Sequence, residues 1–275
     1  WYRFSRNKMS VIGLVMVIFI VLMAIFRQYI APYPDHTGAF VDFKNAGLPP
    51  CSKYLLGTDQ YGRDVLSRII FSFRNALLIG LGVISVAPPI GVIIGLIAGY
   101  YNGRFISSIL MRLTDIFLSL PPLVLALVIS AVFSPSLFNS VMALTISWWA
   151  WYARLIYGTV SSLQNEFYIQ SAELIGAGRL HILFSELLPN CLSTALTKMT
   201  LDMGIVILMG ATLSFVGLGE QPPKPDLGTM ISDSYVFLPD MWWLTLFPAI
   251  AIMIIVMAFN LFGDGISDML SSEEV

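Results

Sequence analysis

The residues that could do chemistry in this chain are few, and they gather in one place. Between Gln170 and Pro189 the sequence QSAELIGAGRLHILFSELLP carries Glu173, Arg179, His181 and Glu186 among Ala, Gly, Ile and Leu. Two carboxylates, a guanidinium and an imidazole serve acid–base or metal chemistry only where a motif arranges them. The chain has no HExxH, no GxSxG and no phosphate-cradling GxxxxGK[ST], so metalloprotease, serine hydrolase and intrinsic ATPase readings all lack their residues. Cys51 and Cys191 lie in different contexts, fit no metal spacing and make a poor disulfide pair. No catalytic residue and no metal ligand is assigned. What the stretch can do is pair charges and present short helices, since its apolar and charged residues alternate at helical spacing. One face of those helices is left for another protein.

The elements that must position this stretch are membrane spans. Of 275 residues 57% are hydrophobic and 12% charged, and the mean hydropathy is +0.79, too apolar for a soluble domain. The net charge of -2, with no Lys or Arg run, speaks against nucleic acid as a partner. Uncharged runs predict an all-α membrane protein with six transmembrane helices. Residues 1–8 form a basic tail, and residues 9–26 a retained anchor, since no small-residue cleavage site follows. Residues 27–75 form a loop rich in Pro and Gly, and residues 76–263 a core of five spans holding the polar loop 164–190. Residues 264–275 form a second tail. Within the core, Ala76–Tyr101 is interrupted by Pro88 and Pro89, which predict a kink. The charge-free stretch Ile116–Ala153 predicts two spans with a hairpin near Pro135 and Asn139. Met203–Gly219 and Met241–Gly263 complete the set.

Several local patterns carry expectations of their own. Val65, Leu66, Ile69, Ile70 and Phe73 share one helical face opposite Asp64, Ser67, Arg68, Ser72 and Arg74, which predicts an interfacial helix before the second span. Gly91, Gly95 and Gly99 recur every fourth residue and predict close helix packing, because small residues let backbones approach in lipid. Arg112 and Asp115 are spaced to pair on one helix. Trp148, Trp149, Trp151 and Tyr152 read as an aromatic belt at the bilayer boundary. The loop from Gly217 to Asp240 carries Glu220, Asp226, Asp233 and Asp240 against Lys224 alone and reads as a solvated acidic loop stiffened by proline. The span centres hold no ionisable group, Arg154 and Asp202 lying near span ends. A proton-coupled carrier needs such groups, so the energy source is placed outside this chain. Basic residues divide eight to seven between the two sides, leaving orientation open.

The polar stretch resembles the cytoplasmic loop of permease subunits of bacterial ABC importers, an E-A-A triplet followed by glycine and a closing Leu-Pro. Gln170, Ser171 and Ala172 take the triplet, Gly176 the glycine, and Leu188 and Pro189 the close. Gln170 stands where Glu is usual, and Glu186 where an apolar residue is usual. LLGTDQYGRDVLSRI, MRLTDIFLSLPP, SFVGLGEQPPKPDLGTMI and FNLFGDGISDML extend the likeness across nearly the whole chain, to the dipeptide, oligopeptide and nickel permeases of the C-subunit type. The resemblance implies a type I ABC importer permease fold in a bacterial inner membrane, with both termini cytoplasmic. It also implies a homologous B-type permease, two ATPase subunits that bind ATP and Mg, and an extracytoplasmic binding protein. This chain itself would hold no cofactor. Carried over by position, Gln170, Ser171, Ala172, Glu173, Gly176, Ala177, Arg179, Glu186, Leu188 and Pro189 become the ATPase-coupling segment. Gly176 then bends it, Ala172 and Ala177 allow close approach, Glu173 and Arg179 set register by charge pairing, and Pro189 ends it before the fifth span. Peptides are the default solute; nickel chelates and glutathione are alternatives within the family. An ion-coupled carrier or a membrane scaffold would be readings of a different class.

Overall fold

A computed structural model describes residues 7–270, so expectations that touch Arg3, Arg6 and the tail beyond Leu270 lie outside the described residues. In a bilayer the backbone of an apolar run must satisfy its own polar groups, and regular structure among the described residues is helical, with one isolated bridge between Thr58 and Asp64. The principal helices are α1 (Lys8–Ile25), α2 (Val65–Tyr100), α3 (Phe105–Leu118), α4 (Pro122–Val132) and α5 (Leu137–Leu163). They continue with α6 (Phe167–Leu174), α7 (Leu188–Phe215), α8 (Leu227–Ser234) and α9 (Trp243–Leu270).

By length and composition α1, α2, the run Arg179–Phe215 that contains α7, and α9 can each cross a membrane, and the pair α3 and α4, bent by 85°, adds a fifth. The remaining expected span, α5, has 27 residues, about 40 Å at 1.5 Å per residue, so its length suffices. Its serines, threonines, tyrosines and Arg154 make it more polar than the others.

The packing centre is the lengthwise contact of α2 with α5; α7 lies against α9 and α2, and α1 against α9. The α2–α5 contact depends on absent side chains. A Cβ added at Gly95 would sit 2.5 Å from the Ala153 carbonyl oxygen, and one at Gly99 2.6 Å from the Val160 Cβ. One at Gly91 would collide with the Trp149 carbonyl.

The structure revises several local expectations. The interfacial helix and the second span are one helix of 36 residues, about 54 Å long, which outreaches the roughly 30 Å hydrocarbon layer. Most of its polar face is not solvated: Asp64, Ser67, Arg68 and Ser72 are buried and only Arg74 is exposed, because the loop before it and the segment Pro223–Ser234 close over that face. Pro88 and Pro89 lie inside this helix without breaking it. Asp115 pairs with Arg154 of α5 and not with Arg112, one turn away on its own helix. Trp148, Trp149 and Tyr152 are buried and only Trp151 faces outward, so three of the four expected belt residues are core. Of the acidic loop, Glu220 pairs with Lys224 at 2.7 Å, and Asp226 is buried as the N-cap of α8, accepting from the Gly228 N–H at 3.0 Å. Burial raises the Asp226 carboxyl above the usual carboxylate range against the pull of those hydrogen bonds.

Candidate functional site

The polar segment hangs between α5 and α7. Gln164, just past α5, donates its side-chain amide to the Tyr100 carbonyl at 3.0 Å and so ties the segment's start to the end of α2. Next comes α6, short because it carries the turn that ends it. Its last carbonyls are closed by two reversed bonds, Gly176 N–H to Glu173 O and Ala177 N–H to Ala172 O, both 3.0 Å. That pair is a Schellman cap, and it requires a left-handed residue, supplied by Gly176 at φ 85°. No atom lies within 4 Å of a Cβ built on Gly176, so the need is conformational and not one of space.

Gln170 has its own physical reason. Its side-chain amide donates to the Asn165 carbonyl at 3.0 Å, a bond an ionised glutamate could not make. Glu173 and Arg179 form no ion pair among the described residues. Instead His181 Nε2 lies 3.4 Å from Glu186 Oε1 across one turn.

Past Gly178 the chain re-enters helix at Arg179–His181, widens into a π-helix at Ile182–Leu187, and runs directly into α7. Pro189 therefore ends nothing; it occupies the first turn of α7. A proline there has no N–H to offer the carbonyl four residues back, and the wider turns immediately before it accommodate that loss.

The segment has an inner and an outer face. Ile169, Ile182, Leu183 and Leu187 are buried in a small cluster with Val92 and Leu96 of α2, Ile156 and Val160 of α5, and Cys191 and Ala195 of α7, separate from the main core. On the outer face Phe167, Leu174, Ile175 and Leu180 are 84%, 87%, 85% and 71% exposed. Sequence reasoning fixed on the charged residues and passed over these four. The signal was present, since Leu174 and Ile175 immediately precede the glycine in a stretch that cannot lie in lipid. Tyr168 stands beside Cys191, Glu166 and Glu186; burial first, then those groups, raises its phenol above the ordinary range, so it remains a neutral hydrogen-bonding group.

A second polar constellation lies within the membrane bundle. Asp202 is 4% exposed in the middle of α7, accepting from Trp148 Nε1 at 2.9 Å and Lys198 Nζ at 3.0 Å. The Tyr152 hydroxyl is directed at the same carboxylate without meeting hydrogen-bond geometry, and Lys198 lies over the Tyr152 ring. A buried carboxylate demands such partners, and these bind α5 to α7. Among the described residues no three His, Cys, Asp or Glu side chains come together to hold a metal.

Comparison with known proteins places this arrangement. Residues 91–273 match the family model described as binding-protein-dependent transport system inner membrane component, and residues 1–50 that of the N-terminal TM domain of oligopeptide transport permease C. The chain is 42% identical to the dipeptide transport system permease protein DppC of Escherichia coli K12, over 98% of this chain and 91% of that one. It is 39% identical to the di/tripeptide transport system permease protein DppC of Pseudomonas aeruginosa, over 98% and 90%. It is 37% identical to the probable D,D-dipeptide transport system permease protein DdpC of Escherichia coli K12, over 98% and 89%. Helices that span, a water-facing segment with an apolar outer face, and matches over nearly the full length agree. The chain belongs to the binding-protein-dependent transport system inner membrane components, the non-catalytic permease subunits of bacterial ABC transporters.

Proposed function

We propose that this permease forms half of the path for di- and oligopeptides and is driven through Gln170–Pro189, which docks in an ABC ATPase subunit. The observation that carries the coupling role is the exposed apolar face of Phe167, Leu174, Ile175 and Leu180 on a capped, water-facing turn. Large apolar groups clustered in water mark a surface meant to be covered. The inner face ties the same turn to α2, α5 and α7, so a push on it reaches the spans. The partners in this reading are a homologous B-type permease, two ATPase subunits that bind ATP and Mg, and an extracytoplasmic binding protein. The segment then faces the cytoplasm, and both chain termini lie on that side. Gly91, Gly95 and Gly99 keep α2 and α5 moving as one body. The peptide assignment is supported by the peptide-transport relatives, at 37–42% identity.

The test is Gly176→Val in the assembled complex. Membrane insertion is expected to be normal, because a side chain there meets nothing within the chain. Peptide-stimulated ATP hydrolysis is expected to be lost, because a branched residue resists φ 85°. Normal stimulation in that variant would sink the coupling role. Ion-driven uptake in vesicles without ATPase subunits would support a carrier instead.

A further inference from the structure

At the opposite end of the bundle, the loop before α2 and the segment around α8 enclose a cleft of about 570 Å³. Its walls are apolar and aromatic, from Phe40, Val41, Tyr61, Pro222, Pro223 and Phe237, and both Arg63 and Asp233 open into it. That volume and mixture fall in the range of small-molecule sites, roughly 300–1,000 Å³ with few polar groups.

The charges are arranged unevenly. Arg63 is 7% exposed and gives Nε to Asp59 at 2.6 Å, while its two terminal nitrogens donate to no group among the described residues. They are not sealed from solvent and so are aimed at the cleft. Asp59 is already committed: it accepts the Arg63 and Tyr61 backbone N–H groups at 2.9 Å and lies 3.7 Å from Arg68 Nε. The buried side thus holds two guanidinium groups against one carboxylate. Across the cleft Asp233 forms no ion pair among the described residues; partial burial raises its carboxyl, against the downward pull of Arg68 and Arg63. The Arg63 guanidinium also lies over the Tyr61 ring at 4.7 Å, which holds its plane fixed and leaves its terminal nitrogens free to take an acceptor from the cleft.

We infer that this cleft is a waiting site for free zwitterionic dipeptides, with the terminal carboxylate on the Arg63 guanidinium and the terminal ammonium on Asp233. The apolar walls take the side chains, and both termini must be free. The inference rests on the reading of the chain as a peptide permease whose coupling segment lies on the other side.

The experiment measures binding of radiolabelled alanyl-phenylalanine to the assembled complex in nanodiscs, without nucleotide and without the binding protein. Arg63→Gln is expected to weaken binding by about tenfold or more, with Arg63→Lys between it and the wild type. Asp233→Asn is expected to weaken the free dipeptide but not its N-acetyl form. The C-terminal amide should bind the wild type as weakly as the free dipeptide binds Arg63→Gln. If Arg63→Gln fails to fold, Asp233→Asn and the two blocked peptides on the wild type decide the matter. No binding by the wild type, equal binding of free and blocked dipeptides, or unchanged binding in the variants overturns the inference. Peptide-stimulated ATP hydrolysis with the binding protein present reports on the permease reading separately: stimulation without cleft binding removes only the waiting site.

Discussion

The segment from Tyr33 to Asp64 and the segment from Gln170 to Pro189 both join long helices, the first mostly irregular and the second short helices about a glycine turn. They differ in where their side chains find partners. In the first, Thr58 accepts from the Leu48 N–H at 2.9 Å and donates to the Asn45 carbonyl at 2.5 Å, while its own carbonyl receives Trp243 Nε1 at 3.2 Å. His36 stacks on Phe40 at 3.9 Å and accepts the Asp64 N–H at Nδ1. In the second, the polar groups bond within a turn or two of themselves, and the large apolar residues of the outer face stand mostly exposed. A surface finished within the chain is built to hold its shape. One left open has apolar surface that another protein can cover, and on the proposed coupling role substitutions in the two should fail in opposite ways.

The sharpest break in that comparison is Asp59→Ala, which strips Arg63 and Arg68 of their carboxylate. Losing one partner of a buried charge cluster costs about 3–5 kcal/mol, so the thermal midpoint of the purified protein should drop markedly. In the open segment Leu174→Asp should leave that midpoint unchanged and weaken ATPase association by about 2 kcal/mol or more, read by titrating ATPase into reconstituted permease. Asp226→Ala removes the α8 cap and should cost about 1 kcal/mol, read in the same melt.

His36 gives the pH test. Burial holds its pKa below the ordinary value despite Asp64, Asp35, Asp42 and Asp59, so the folded loop favours the neutral ring. The unfolded chain therefore binds the proton more readily. The contribution is fully present above the unfolded value near 6.5 and is lost as pH falls through that value toward the folded one. Hydrogen exchange across Tyr33–Asp64, corrected for intrinsic rate, should quicken between about pH 7.5 and about pH 5.5, and exchange across Gln170–Pro189 should not. The smallest effect belongs to Gln170→Glu, which exchanges one exposed hydrogen bond for a repulsive contact and should cost about 0.5–1 kcal/mol locally, seen as faster exchange in α6 alone.

How much of this was legible follows from the range of each interaction. The turn at Gly176 is encoded locally, since a left-handed cap needs glycine whatever surrounds it. The glycine periodicity in α2 likewise needs no knowledge of its neighbour's identity. The amphipathic reading of Val65–Arg74 went astray because periodicity tells an apolar face from a polar one but not whether the polar face meets water. Here Pro223 and Met230, far along the chain, reach the buried Arg68 and Ser72. Trp148 could not be told from a boundary tryptophan without Asp202, which accepts its indole from another helix. Asp115 chose Arg154 for the same reason: its nearest cation in sequence is not its nearest in space.

The helical run from Arg179 to Phe215 has a further consequence. Its 37 residues make a rod of about 55 Å. The Asp202–Trp148 contact grips it not far from its midpoint, as a fulcrum grips a beam. A tilt of about 5° there swings the Arg179 end by about 3 Å and the Phe215 end by about 2 Å, in opposite directions. One end carries Leu180 and the other leads into Pro222 and Pro223, so displacement at the first surface reappears, reversed in sense, beside the cleft at the second.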